Sequence, residues 1–182
     1  MGKVYDRIDD QLAAWITRQR VFFVATAPLA RDGHVNCSPK GGDAFRVIGP
    51  RTVAYQDLTG SGVETIAHLR ENGRIVIMFC ALEAQPKIVR LHGWGGIISP
   101  EHPEFNSLRA RFPDQAGTRG FIKIDVTRVS DSCGFGVPLF DHRADRDALQ
   151  KWADSKGSAK LKEYRREKNA RSIDGLPGLD QI

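Results

Sequence analysis

The sequence predicts a mainly β protein with flanking helices, in which six or seven antiparallel strands form a closed sheet. Two observations carry this. Short runs dense in β-branched and aromatic residues recur between residues 21 and 129, most of them joined by short turns. Only one helical pattern is inserted among the early strands, so the strict βαβ alternation of a dinucleotide-binding fold is absent. A chain of 182 residues with 41% apolar content can bury a sizeable core as one compact unit.

The elements follow in order. Ile8, Leu12, Trp15 and Ile16 recur at i, i+4, i+7 and i+8, the pattern of an amphipathic helix. Val21–Ala27 is a strand ended by Pro28, and Asp32-Gly33 turns the chain into a return strand over His34–Ser38. Phe45–Ile48 and Thr52–Tyr55 pair around Gly49-Pro50-Arg51. A helix over Gly62–Glu71 stops at Asn72-Gly73, a left-handed C-cap. Arg74–Cys80 reads as a buried strand. Ile88–Ile98 is a long one, with Gly93, Gly95 and Gly96 marking bulges or a bend. Pro103–Phe112 is a short helix and Phe121–Val129 the last strand. Asp145–Ser155 and Ala159–Lys168 are two helices broken at Lys156-Gly157-Ser158. The segment from Asn169 to Ile182 lacks periodicity and is rich in turn formers, so it orders only by docking. We expect one unit over residues 1–141 and a helical extension with its tail, 142–182, packed on it.

Composition narrows the function classes. No apolar run is long enough to span a bilayer, and the N-terminus lacks the apolar stretch of a signal peptide. Cys37, Cys80 and Cys133 are odd in number and widely spaced, which argues against a disulfide framework and for the cytoplasm. No metal-ligand spacing is present. The net charge of +5 is concentrated in His142–Arg171, which holds ten Lys/Arg against five Asp/Glu. Mixed signs there, without an aromatic platform, favour a solvated helix face over a nucleic-acid surface.

The densest functional signal is Tyr55-Gln56-Asp57-Leu58-Thr59-Gly60-Ser61-Gly62-Val63-Glu64. A strand enters a Gly/Ser/Thr turn and a helix leaves it, which is the shape of an anion cradle. The same residues also fit a capping box in which Ser61 caps the helix and Glu64 reaches back. No Gly-Lys-Ser/Thr follows, so this is not a P-loop.

The ordered set of the first helix, Phe22-Phe23-Val24-Ala25-Thr26, Gly33–Gly41, Ala54-Tyr55 with the turn and helix, Arg74–Phe79 and Leu91-His92-Gly93-Trp94-Gly95 resembles the pyridoxamine 5'-phosphate oxidase-like FMN-binding split-barrel family. Lys168–Leu179 resembles the ending of one bacterial branch of it. The resemblance implies a split barrel, a homodimer with FMN at the interface, and oxidoreductase activity on a small-molecule substrate. By that resemblance Ser38, Pro39, Lys40 and Gly41 lie along the flavin ring, and Asp57, Thr59, Gly60, Ser61 and Gly62 belong to the cofactor site, the Thr59–Gly62 turn facing the phosphate. Asn169, Arg171 and Ser172 either reach the cofactor or only pack the barrel. One departure stands out: where many members place Lys or Arg at the start of the helix, this chain has Gly62, Val63 and Glu64. The missing positive charge must then come from elsewhere, with Lys40 and Arg171 as first candidates and Arg70 and Arg74 behind them. His34 and His92 are candidate proton donors to a reduced flavin or structural residues. A non-catalytic carrier of flavin or another phosphate ligand, or use of the deazaflavin F420, is the alternative reading.

Overall fold

The computed structural model describes residues 2–83 and 85–179. Its elements are β1 (Val4–Tyr5), α1 (Asp10–Thr17), β2 (Val21–Thr26), β3 (Asn36–Gly41), β4 (Phe45–Gly49), β5 (Thr52–Leu58), α2 (Glu64–Asn72), β6 (Arg74–Cys80), β7 (Ile88–Ile98), α3 (Phe105–Arg109), β8 (Thr118–Ser132) and α4 (Ala148–Lys168). The main strands run in the order β3-β2-β6-β7-β8-β5-β4, all antiparallel, with β1 added beside β8.

The sheet curls without closing: β3 and β4 are its edges and do not pair with each other. The predicted closure is therefore made by side chains. Phe22 of β2 packs its ring 5.1 Å from Phe45 of β4 and 5.6 Å from Tyr55 of β5, and Phe45 lies 5.0 Å from Phe79 of β6. Edge-to-face pairs of this kind add about 0.5–1.5 kcal/mol each beyond area burial. They join the two halves of the sheet across its split.

Alternation explains which face is inward. Along β2, Phe22, Val24 and Thr26 are buried while Val21, Phe23 and Ala25 are only partly so. Along β3, Asn36, Ser38 and Lys40 face the split, and Cys37, Pro39 and Gly41 are exposed. Pro39 is tolerated because β3 is an edge. Ile8, Leu12 and Ile16 bury the inner face of the α1 region, and Asp9 caps the helix through Leu12 N at 2.8 Å. Helix α2 packs on β2, β6 and β7. It ends at Gly73, whose φ of +70° is the left-handed conformation predicted for this position.

Strand bounds run longer than predicted at β5, β8 and the far end of β3, because cross-strand pairing carries polar residues into the ladder. The predicted break is present within α4, where Gly157 is non-helical at φ +70° and ψ 165° and separates its two halves. Among the described residues the three cysteines are unpaired, no acidic or Cys/His group is arranged for a metal, and no helix is long and apolar enough to cross a membrane. Residues 180–182, part of the predicted aperiodic tail, lie outside the described residues.

Candidate functional site

The site grows from one buried carboxylate. Asp57 sits on β5, whose middle is buried on both faces, and is 0% exposed. A lone carboxylate there would be costly, so it must be paired. Arg119 supplies the pairing. In the β5–β8 ladder Asp57 is opposite Gly120 and Leu58 opposite Thr118, which leaves Arg119 as the extra residue of a bulge. A bulge re-aims a side chain, and here the Arg119 Nε donates to Asp57 Oδ2 while Nη1 donates to the Gly62 carbonyl at 2.9 Å. Lys40, reaching from β3 across the split, brings Nζ to 3.8 Å from Asp57 Oδ1 and lies over the Tyr55 ring. Burial, and then the nearby Asp57, push the Tyr55 hydroxyl well above its ordinary pKa, so it stays protonated.

A third cation enters from α4. Arg165 Nε donates to Thr59 Oγ1 at 2.8 Å, and Nη2 reaches the carbonyls of Thr118 at 3.2 Å and Gly117 at 3.4 Å. Burial, and then the neighbouring Arg119 charge, lower the Arg165 pKa, while Asp57 opposes them. Three cations thus crowd one carboxylate beside the Gly60–Gly62 turn. That surplus of positive charge in a partly dry setting favours an anion.

The start of α2 adds to this. Val63 is its N-cap residue and has no side-chain cap bond. The predicted capping box is therefore absent: Ser61 is exposed, and the Glu64 carboxylate accepts from the Ile173 N–H at 3.3 Å instead of the cap. The first N–H groups of the helix are left without a side-chain cap and can take an anion, with the Glu64 carboxylate folded against Gly62 as the opposing charge beside them.

The remaining predicted residues divide by what they touch. Thr59 is fully buried, and its hydroxyl donates to Gly117 O at 2.8 Å while accepting from Arg165. Its role in the turn is to hold β8 and α4 together. Gly60 and Gly62 are partly exposed, and their carbonyls accept from Asn169 Nδ2 at 2.9 and 3.5 Å, so the residue that follows α4 pins the turn. Gly178 passes so close to this point that a Cβ would lie 2.2 Å from Asn169 O, which excludes larger residues. Arg171 is exposed and turns back to donate to Gly175 O at 2.8 Å, and Ser172 Oγ accepts from Leu176 N at 3.1 Å; both bonds stay within the tail. Arg70 lies in the last turn of α2 and Arg74 just beyond it, at the opposite end of the helix from the turn. Ser38, Pro39, Lys40 and Gly41 form the edge strand, and of these Lys40 reaches the cluster.

Of the two histidines, His34 is clasped by Asp174: its N–H donates at 2.8 Å and its ring Nδ1 lies 2.6 Å from the other carboxylate oxygen. His92 is half-buried on β7, where desolvation, and then Arg128 and Arg90, lower its pKa. A cavity of about 930 Å³ opens elsewhere, lined by Trp15, Arg20, Cys80, Lys87 and Phe140 among others, and none of the predicted site residues borders it. Sequence reasoning missed Arg119 and Arg165. The available signal was Asp57 itself, since a carboxylate in a strand this apolar calls for a buried arginine.

A curled, split antiparallel barrel with a cation-rich strand–turn–helix junction defines the class. A family model described as pyridoxamine 5'-phosphate oxidase matches residues 8–133. A relative from Aspergillus flavus, the pyridoxamine 5'-phosphate oxidase family protein ustO, is 43% identical over 192 residues, covering 96% of this chain and 77% of that protein. Two solved structures share the fold. HupZ from Group A Streptococcus has a TM-score of 0.51 at 22% identity, over 66% of this chain and 91% of that one. A protein of unknown function from Corynebacterium diphtheriae has a TM-score of 0.50 at 12% identity, over 71% and 95%. The chain belongs to the pyridoxamine 5'-phosphate oxidase family.

Proposed function

We propose that this protein is an FMN-dependent oxidoreductase acting on a small molecule, with the phosphate of FMN held at the β5–α2 turn. The observation that carries this is the surplus of cations around Asp57, beside an α2 N-terminus without a side-chain cap. The donor set suits a phosphate monoester: fork-shaped guanidinium groups, a lysine and backbone N–H groups converge from three elements. Arg119 and Arg165 use only part of their donor capacity on the protein, since a guanidinium carries five N–H groups.

When bound, the flavin would supply the hydride or electron transfer. Arg165, Arg119 and Lys40 would neutralise its phosphate. Asn169 keeps the Gly60–Gly62 carbonyls turned away from that charge by bonding them itself. Ser38 and Lys40, on the split-facing side of β3, would border the ring. The exposed outer face of this edge strand supports a homodimer that covers it, and the unpaired cysteines support a cytoplasmic setting.

The test is a visible absorption spectrum of the purified protein before and after dialysis against FMN, followed by a titration with riboflavin. A flavin band with FMN favoured over riboflavin supports the phosphate site. No band with FMN removes this reading and leaves a deazaflavin or another phosphate ligand. A stable band with no turnover of NAD(P)H and an electron acceptor would identify a non-catalytic flavin carrier.

A further inference from the structure

A second polar chain, separate from the cationic cluster, runs through the barrel wall and opens on the same split. His68, on α2, is fully buried, and its Nδ1 lies 2.9 Å from Thr26 Oγ1. Asn36 Nδ2 donates to Thr26 Oγ1 at 3.2 Å and to Thr65 Oγ1 at 3.0 Å. Ser38 Oγ donates to Asn36 Oδ1 at 2.8 Å. Ser38 lies two residues from Lys40 on the same face of β3, so the chain surfaces beside the proposed flavin.

One assignment of donors is consistent along the whole chain. Both Asn36 amide protons are spent on threonine oxygens, which leaves its carbonyl to accept from Ser38. In this assignment Thr26 Oγ1 accepts from Asn36 and donates to His68 Nδ1, whereas a proton on Nδ1 would make Thr26 accept from both. Donation to Nδ1 requires a neutral ring with its proton on Nε2. Burial lowers the His68 pKa against the opposing pull of Asp174, Glu64 and Glu71, which suits a neutral ring. Among the described residues Nε2 is buried without a hydrogen-bond partner in either tautomer, so the Thr26 contact is what distinguishes them.

Resting on the flavin reading above, we propose that His68 is a positioning residue that fixes Ser38 as a hydrogen-bond acceptor toward the ligand, through Thr26 and Asn36. The Ser38 proton is committed inward, so its oxygen presents lone pairs to the split. Ser38 therefore selects an N–H or O–H donor on the bound ring system and disfavours a carbonyl at that point.

Two measurements on the full chain test this. In ligand-free protein, imidazole nitrogen NMR shifts should show His68 protonated on Nε2 and bare on Nδ1. A proton on Nδ1 overturns the proposal whether or not a flavin binds. FMN titrations by fluorescence quenching then compare wild type, Ser38→Ala, His68→Leu, His68→Asn and the double variant Ser38→Ala/His68→Leu. Loss of one neutral hydrogen bond should weaken binding by up to about tenfold in Ser38→Ala and in His68→Leu. The double variant should be no weaker than either single one, and His68→Asn, which returns an acceptor near the Nδ1 position, should recover most of the affinity. A folded His68→Leu protein that binds FMN like wild type, or losses that simply add, overturns it. If wild type binds no FMN, the proposed function fails, and this inference is decided by the tautomer alone.

Discussion

The two ends of α2 were built for different ends. At the C-terminus the chain satisfies itself: Gly73 donates to Leu69 O at 3.0 Å, Asn72 bonds Ala27 O at 2.9 Å, and Arg74 returns to Asn72 at 3.2 Å. At the N-terminus the cap residue, Val63, makes no side-chain cap bond, and three cations stand around Asp57 with Glu64 in the first turn. A helix end that the protein closes contributes stability. One that it leaves open while gathering positive charge is held ready for something negative.

The sharpest way to break this contrast is Arg119→Ala. It strands Asp57 in the core with only Lys40 at 3.8 Å, and should cost about 3–5 kcal/mol in urea unfolding at neutral pH. Replacing Asp57 by Ala in the same protein should restore part of that loss. Next in size, Arg165→Gln should cost stability through its lost bonds to Thr59, Thr118 and Gly117 and, in the folded protein, lose about 1.5–3 kcal/mol of FMN binding, roughly tenfold or more, with riboflavin binding little changed. Equal losses for both ligands would place the phosphate elsewhere. At the other end, Gly73→Ala forces an L side chain to φ +70° with its Cβ 3.2 Å from Trp94, and should cost about 1–2 kcal/mol of stability with no change in FMN preference.

The smallest effect belongs to the His34–Asp174 clasp. Hydrogen bonding to Asp174, and then its charge, raise the His34 pKa above its ordinary value, and the His34 bonds lower that of Asp174. The His34 contribution is therefore complete below the ordinary histidine pKa and fades as pH climbs through the raised one. The Asp174 contribution is present above the ordinary carboxylate pKa and fades as pH falls through its lowered one. Hydrogen-exchange protection of the amides around residues 172–176, corrected for the intrinsic rate at each pH, should be greatest between these limits, and Asp174→Asn should flatten the profile.

Most of the fold was legible because its signals are local. A short run of β-branched and aromatic residues located β2, the αL stop at Gly73 is written in Asn72-Gly73, and the Gly157 break interrupts its own helix. The candidate site was legible only in its backbone. The Thr59–Gly62 turn was found from spacing, but its charge comes from Arg119 and Arg165, which lie 62 residues from Asp57 and 106 from Thr59. Only sheet register and a bulge bring Arg119 inward, and only the docking of α4 brings Arg165, and neither has a short-range signature. The capping-box expectation failed for a similar reason. Glu64 fits the pattern, yet the tail N–H of Ile173 occupies its carboxylate.

The order in which the parts are made adds a consequence. Translation runs from N- to C-terminus, so Arg165 and Asn169 leave the ribosome after every strand of the barrel. The barrel can collapse around Asp57 and Arg119 while the turn still lacks its third cation and the amide that ties down Gly60 and Gly62. A nascent chain could thus hold a folded scaffold before the proposed anion seat is complete, which would make capture of the proposed ligand a late step.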